Sequence, residues 1–138
     1  MHRARVYLSG PISGDGKPET IAANIAELER VGMLLRRMGF APFVPTADLP
    51  GNHLTHSEWM AWDYPYVAVA EFVLRIPGQS PGADLEQEFA FASGIPVYLY
   101  DRALTGDAYV DIVAYQLYPD GHEGPRFYLS STRREIVA

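Results

Sequence analysis

Residues Arg3–Gly14 read RARVYLSGPISG, and this stretch decides the fold. Arg3–Leu8 is a short apolar strand that runs directly into Ser9-Gly10-Pro11-Ile12-Ser13-Gly14, a turn sequence. A strand that empties into a glycine-rich loop and then feeds a helix is how an α/β fold begins. Pro18 and Glu19 suit a helix start. Ile21, Ile25, Leu28, Val31 and Leu35 then recur at steps of three and four residues, which is one apolar helical face. Gly39 follows Arg36-Arg37-Met38 and marks the helix end, with basic residues in the last turn.

The alternation repeats along the chain. Phe40–Val44 (FAPFV) reads as a second strand, and its Pro42 marks it as an edge strand or a strand end. Thr46–His56 is a polar loop. A helix capped by Thr55 or Ser57 runs through Trp59, Met60, Trp62, Asp63 and Val67, with Pro65 as a kink or restart. Glu71–Ile76 (EFVLRI) is the third strand, followed by the loop Pro77–Gly82. Ala83–Ser93 is a helix ended by Gly94, and Ile95–Tyr100 is the fourth strand. Strands and helices in this order, with connections of this length, predict a parallel sheet covered by helices. After Asp101 the pattern weakens; Asp107–Leu117 (DAYVDIVAYQL) reads as a helix and Arg126–Leu129 as a fifth strand. No repeat, linker or low-complexity tract interrupts the chain, so its 138 residues are expected to form one domain, 1–138.

Composition narrows the function classes. There is no cysteine, which excludes disulfides, thiolate catalysis and Cys-ligated metals. The net charge of −6 argues against polymeric nucleic acid but is compatible with a single nucleotide held by backbone N–H groups. Nothing near the N-terminus resembles a signal peptide, and no apolar run approaches membrane-spanning length. A cytoplasmic protein without membrane contact is expected. His53 and His56 lie three apart with no clear third ligand, so neither a metal site nor a cofactor is expected.

Three constellations carry the candidate chemistry. Ser9, Gly10, Ser13, Gly14 and Gly16 lie at the C-terminal end of the first strand, where parallel sheets bind ligands. Their glycines let backbone N–H groups approach an anion, although the spacing matches neither a P-loop nor a dinucleotide fingerprint. An ordinary turn is the competing reading. The second constellation is Ser80-Pro81-Gly82-Ala83-Asp84-Leu85-Glu86, at the entry to a helix. A carboxylate near that helix N-terminus, Glu86, is expected to stay ionised at neutral pH and to serve as a nucleophile. Asp84 is either the N-terminal charge or a second acid, and simple helix capping by both carboxylates is the competing reading. The third is Trp59-Met60-Ala61-Trp62-Asp63, which suggests a pocket that stacks a flat ring beside a polar group, or else plain core packing with a surface ion pair for Asp63.

Together these pieces resemble the nucleoside 2-deoxyribosyltransferase-like superfamily, which includes deoxynucleoside 5′-monophosphate N-glycosidases. The resemblance runs from about Arg3 to Tyr100. It rests on Val6–Gly14, Asn24 with its helix, Gly39–Pro45, Asp63, Ser80–Glu86 continuing to Ala90, and Gly94-Ile95-Pro96-Val97. It implies a flavodoxin-like three-layer sandwich with a parallel sheet of four or five strands. It also implies Glu86 as the catalytic glutamate that attacks the anomeric carbon of deoxyribose. Tyr7, Ser9, Gly10 and Ile12 would then line the sugar and base pocket, with Ser13 beside them. Asp63 would contact substrate, Ser80 and Gly82 would meet the 5′ end of the sugar or its phosphate, and a homodimer or larger homo-oligomer would complete the site. One departure stands out: Glu71, after Ala70, replaces the family's aspartate.

The expected reaction is cleavage or base exchange at the N-glycosidic bond of a deoxyribonucleoside or its 5′-monophosphate. Glu86 would stabilise and trap the sugar, and Asp63 or Asp84 would help the base leave. Trp59 is the expected stacking ring. The alternative from another class is a non-catalytic nucleotide-binding or sensing module, which would bind ligand without turnover and keep binding in Glu86→Gln.

Overall fold

Alternation along Arg5–Ser9 organises the molecule. In this strand, β1, the side chains of Val6 and Leu8 enter one buried cluster and Tyr7 enters another, as the period of two in an extended chain requires. The computed structural model describes residues 2–45, 56–101, 112–129 and 135–136. Their order is β1, α1 (Pro18–Arg37), β2 (Ala41–Phe43), α2 (His56–Ala68), β3 (Phe72–Arg75), α3 (Pro81–Ala92), β4 (Val97–Tyr100), β5 (Ile112–Leu117), β6 (Glu123–Leu129) and β7 (Glu135–Ile136). The sheet runs β2-β1-β3-β4-β5-β6-β7.

The first four strands in this order pair in parallel. This is the expected three-layer α/β arrangement. On one face α1 contributes Leu28, Val31, Leu34 and Leu35 to a cluster with Val6, Leu8, Phe72 and Leu74. On the other, Val67 of α2 and Ala90 of α3 pack on Tyr7, Val73 and Val97. Pro18 starts α1 and Gly39, at φ +94°, follows its end. β2 with its Pro42 lies at the sheet edge, as a strand lacking one N–H donor should. Pro65 is accommodated within α2.

Beyond β4 the structure departs from expectation. Ile112–Leu117 is not helical but a strand, β5, antiparallel to β4; residues 107–111 of the expected helix lie outside the described residues. A short apolar run fits either period on its own. The open edge of β4 decides the matter, because a strand laid there satisfies its backbone groups. Ile112, Val113, Ala114 and Tyr115 are all buried, as in a strand covered on both faces. The expected strand at Arg126–Leu129 falls within β6, so the parallel sheet is extended by antiparallel strands. Among the described residues, no helix is long and apolar enough to cross a membrane.

Candidate active site

Tyr7 and Ser9 are two residues apart on β1 and therefore face the same layer, the one that holds α2 and α3. Both reach Glu86. The Tyr7 hydroxyl donates to Glu86 Oε2, and the Ser9 hydroxyl donates to Oε1 at 2.8 Å. Glu86 is buried, with 6% of its surface exposed. The helix that carries it starts cleanly: Pro81 occupies the first turn and the Ser80 hydroxyl accepts from the Ala83 N–H at 3.1 Å. From α2, part-buried Asp63 lies beside this group, close enough to interact electrostatically with both Glu86 and Tyr7.

Burial raises the pKa of Glu86 to about 7. The hydroxyls of Tyr7 and Ser9 oppose that rise, while the neighbouring Asp63 adds to it. Burial raises Asp63 as well, against the opposing influence of Glu86 and Tyr7. The Tyr7 phenol is held far above its ordinary range, first by burial and then by the charges of Glu86 and Asp63, so it remains a donor. The expectation that the helix N-terminus keeps Glu86 ionised gives way here. The residue is sixth in α3, beyond the first turn where the dipole acts, and burial prevails. The two neighbouring carboxyls titrate as a pair, both raised by burial.

A cavity of about 460 Å³ opens over this group, within the range of small-molecule sites. Gly10, Ile12, Ser13, Asp63, Ser80, Gly82 and Glu86 line it, which gathers seven of the residues singled out in the sequence. Tyr7 and Ser9 do not line the cavity but lie behind Glu86 and hold its carboxylate. The Asn24 amide donates to the Ile12 carbonyl at 3.1 Å and steadies the first loop. Asp84 is placed elsewhere: its carboxylate is ion-paired with Arg75 at 2.9 Å and does not line the cavity. The Trp59 side chain and residues 46–55, with His53, lie outside the described residues. Among the described residues, no group of three potential ligands could hold a metal.

The sequence reading gave no individual pocket role to Met60, Pro45 or Gln79, all of which line the cavity. Met60 sits three residues before Asp63, one helical turn away, so its spacing was the available signal. Arg75 was also missed; its signal was one charge at the end of an otherwise apolar strand. Glu71 proves to be remote from the chemistry. It precedes β3, at the end of the sheet opposite the cavity, and contacts His2 at 2.7 Å and Arg5 at 3.5 Å.

Several solved structures match this chain. A 2-deoxyribosyltransferase from the psychrotolerant bacterium Bacillus psychrosaccharolyticus matches with a TM-score of 0.54 and 23% identity, over 70% of this chain and 71% of that one. A conserved protein from Enterococcus faecalis V583 matches with a TM-score of 0.57 and 16% identity, over 78% of this chain and 69% of that one. No protein-family model matches the sequence, and no curated protein does. The likeness to both structures is one of fold.

Proposed function

We propose that this chain, whose fold is nucleoside 2-deoxyribosyltransferase-like, breaks the N-glycosidic bond of a deoxyribonucleoside or its 5′-monophosphate with Glu86 as nucleophile. One observation carries the reading. A buried carboxylate has both oxygens oriented by hydroxyl donors, a second acid beside it, and a nucleoside-sized cavity in front of it.

As the base departs, positive charge builds at the anomeric carbon. The ionised Glu86 bonds to that carbon as an ester while the electron pair of the carbon–nitrogen bond leaves with the base. In the singly protonated form of the pair that has Glu86 ionised, Asp63 transfers its proton to the departing base. Water then attacks the same carbon, the ester bond breaks, and 2-deoxyribose, or its 5-phosphate from a monophosphate, leaves. Glu86 is a carboxylate again, and the proton lost by water returns to Asp63. A second base attacking in place of water gives a new nucleoside and returns its N–H proton in the same way.

Ser80 and Gly82 at the mouth of α3 suit the 5′ end of the sugar, where a hydroxyl and backbone N–H groups can receive either an OH or a phosphate. A homodimer or larger assembly fits the exposed apolar stripe Trp62, Tyr66 and Val69 on and just after α2; light scattering of the purified chain checks it, and a monomer at micromolar concentration overturns it.

The deciding experiment is incubation with a panel of deoxynucleosides and their 5′-monophosphates, with and without a free acceptor base. Free base appearing without acceptor indicates hydrolysis, and exchange only with acceptor indicates transfer. No release from any member by a folded sample refutes both. Tight binding that persists in Glu86→Gln would then mark a binding module.

A further inference from the structure

Arg75 closes β3, a strand that otherwise reads Phe72-Val73-Leu74. Its guanidinium is almost fully enclosed, with 7% of the side chain exposed. An enclosed guanidinium is costly unless its donors are met. Here Nε donates to the Ile76 carbonyl at 3.0 Å, Nη2 to the Gly78 carbonyl at 2.7 Å, and Nη1 to Asp84 Oδ1 at 2.9 Å. These partners lie on the loop after β3 and in the first turn of α3. One side chain therefore ties both ends of the 76–84 segment to the end of β3.

The same segment forms one wall of the cavity through Gln79, Ser80 and Gly82. Its place is tightly defined. The Ile76 N–H donates to the Ser9 carbonyl at 2.7 Å, which continues the β1–β3 ladder into the loops. Gly78 adopts φ +131°, and a Cβ there would come within 2.7 Å of Pro11 Cγ, so the loop rests directly on the loop that follows β1. Asp84, by contrast, is 64% exposed on its side chain. The pair thus joins an interior cation to an anion at the surface.

We propose that Arg75 is a positioning residue for the substrate-binding loop 76–82, and that Asp84 latches it in place. This rests on the reading of the cavity as the deoxynucleoside site. Arg75 acts through the loop and touches no reacting atom. Glu86 is oriented separately by Tyr7 and Ser9 from β1. Loosening the loop therefore weakens substrate binding and leaves the chemical step nearly intact.

The test compares wild type with Arg75→Met, Arg75→Lys, Asp84→Asn and the double variant Arg75→Met/Asp84→Asn, all in the full chain. Two readouts are taken: KM and kcat for base release from the best deoxynucleoside of the panel, and amide hydrogen exchange without substrate. Arg75→Met is expected to raise KM about tenfold, with kcat within roughly threefold of wild type. Asp84→Asn, at an exposed site, raises KM by roughly threefold, and Arg75→Lys falls between wild type and Arg75→Met. The double variant resembles Arg75→Met, because both changes open one latch. Amides of Ile76–Ala83 exchange about tenfold faster in Arg75→Met while those of β1 and α1 are unchanged.

Unchanged KM and unchanged loop exchange in Asp84→Asn and in the Arg75 variants overturn the proposal. So does exchange that accelerates uniformly over the whole chain, which marks a purely structural role. Should Arg75→Met not fold, Asp84→Asn and Arg75→Lys decide the question by the same two readouts. If wild type releases no base from any substrate, the reaction proposed above fails, and loop exchange still decides whether the latch exists.

Discussion

Val6 and Leu8 leave β1 on one side, Tyr7 and Ser9 on the other, and from there the two faces of the sheet are built differently. Toward α1 the interior is a broad apolar layer, joining the helix to side chains from β1, β3, β4, β5 and β6. Toward α2 and α3 the apolar cluster is small. Its upper end gives way to Ser9, Glu86 and Asp63. The α1 face contributes most of the hydrophobic stabilisation. The other face gives up apolar burial to hold two carboxyls whose ionisation is costly there. The same strand serves both, so the chemistry is mounted on the best-packed part of the fold.

Substitutions on the two faces should therefore fail in different ways. The largest effect belongs to Glu86→Gln, which removes the proposed nucleophile at constant shape. Base release should fall by about a thousandfold or more while circular dichroism stays that of wild type. On the opposite face, Leu8→Ala, fully buried in the wild type, should cost about 2–5 kcal/mol in urea unfolding. Below its unfolding transition, Leu8→Ala should keep kcat within a few-fold of wild type. A loss of catalysis as large as that of Glu86→Gln would show that the faces are not separable.

Acidity sharpens the same contrast. Glu86 is raised from 4.5 to about 7 by burial, so between those values the native state holds a proton that the unfolded chain has lost. The stability this proton confers is full below about pH 4.5, declines as pH rises to about 7, and is absent above. A shift of this size corresponds to roughly 3 kcal/mol. Glu86→Gln should flatten the decline, and an undiminished slope in that variant would assign it to other groups. Activity should follow the same window, because the proposed reaction needs one proton on the pair, and should fall as pH rises through about 7 and that proton is lost. Tyr7→Phe removes a donor that lowers this pKa, so the midpoint of the activity profile should move upward. The smallest effect is expected from Glu71→Gln. It breaks an exposed contact with His2 and Arg5 at the far end of the sheet and should change stability by less than about 1 kcal/mol, with kcat and KM untouched.

The parts legible in the sequence are those set by local periodicity. The helical spacing from Ile21 to Leu35 and the proline and glycine at its ends mark α1, and the structure has it at Pro18–Arg37. The glycine-rich loop at the end of β1, the helix entry at Ser80, the acid beside two tryptophans and the family resemblance were enough to single out Tyr7, Ser9, Asp63 and Glu86, which the fold brings into one group. What was not legible depends on distant partners. Ile112–Leu117 becomes a strand because β4 offers an edge, which no local window of residues contains. The titration of Glu86 follows from enclosure by β1 and α2, not from its distance to the helix start. Asp84 was a candidate acid only until Arg75, nine residues earlier, claimed its carboxylate. Glu71 was misleading because its type was read before its place: it enters β3 at the end remote from the ligand-binding edge.

One consequence follows from α2. The chain has two tryptophans, Trp59 and Trp62, and this helix holds both, in the same stretch as Asp63 and the cavity-lining Met60. The natural fluorescence of the molecule is thus a single-helix signal. A ligand that shifts α2 as it enters beside Asp63 is expected to alter the emission, and a fluorescence titration of the unlabelled, unmutated chain checks this before any turnover is measured.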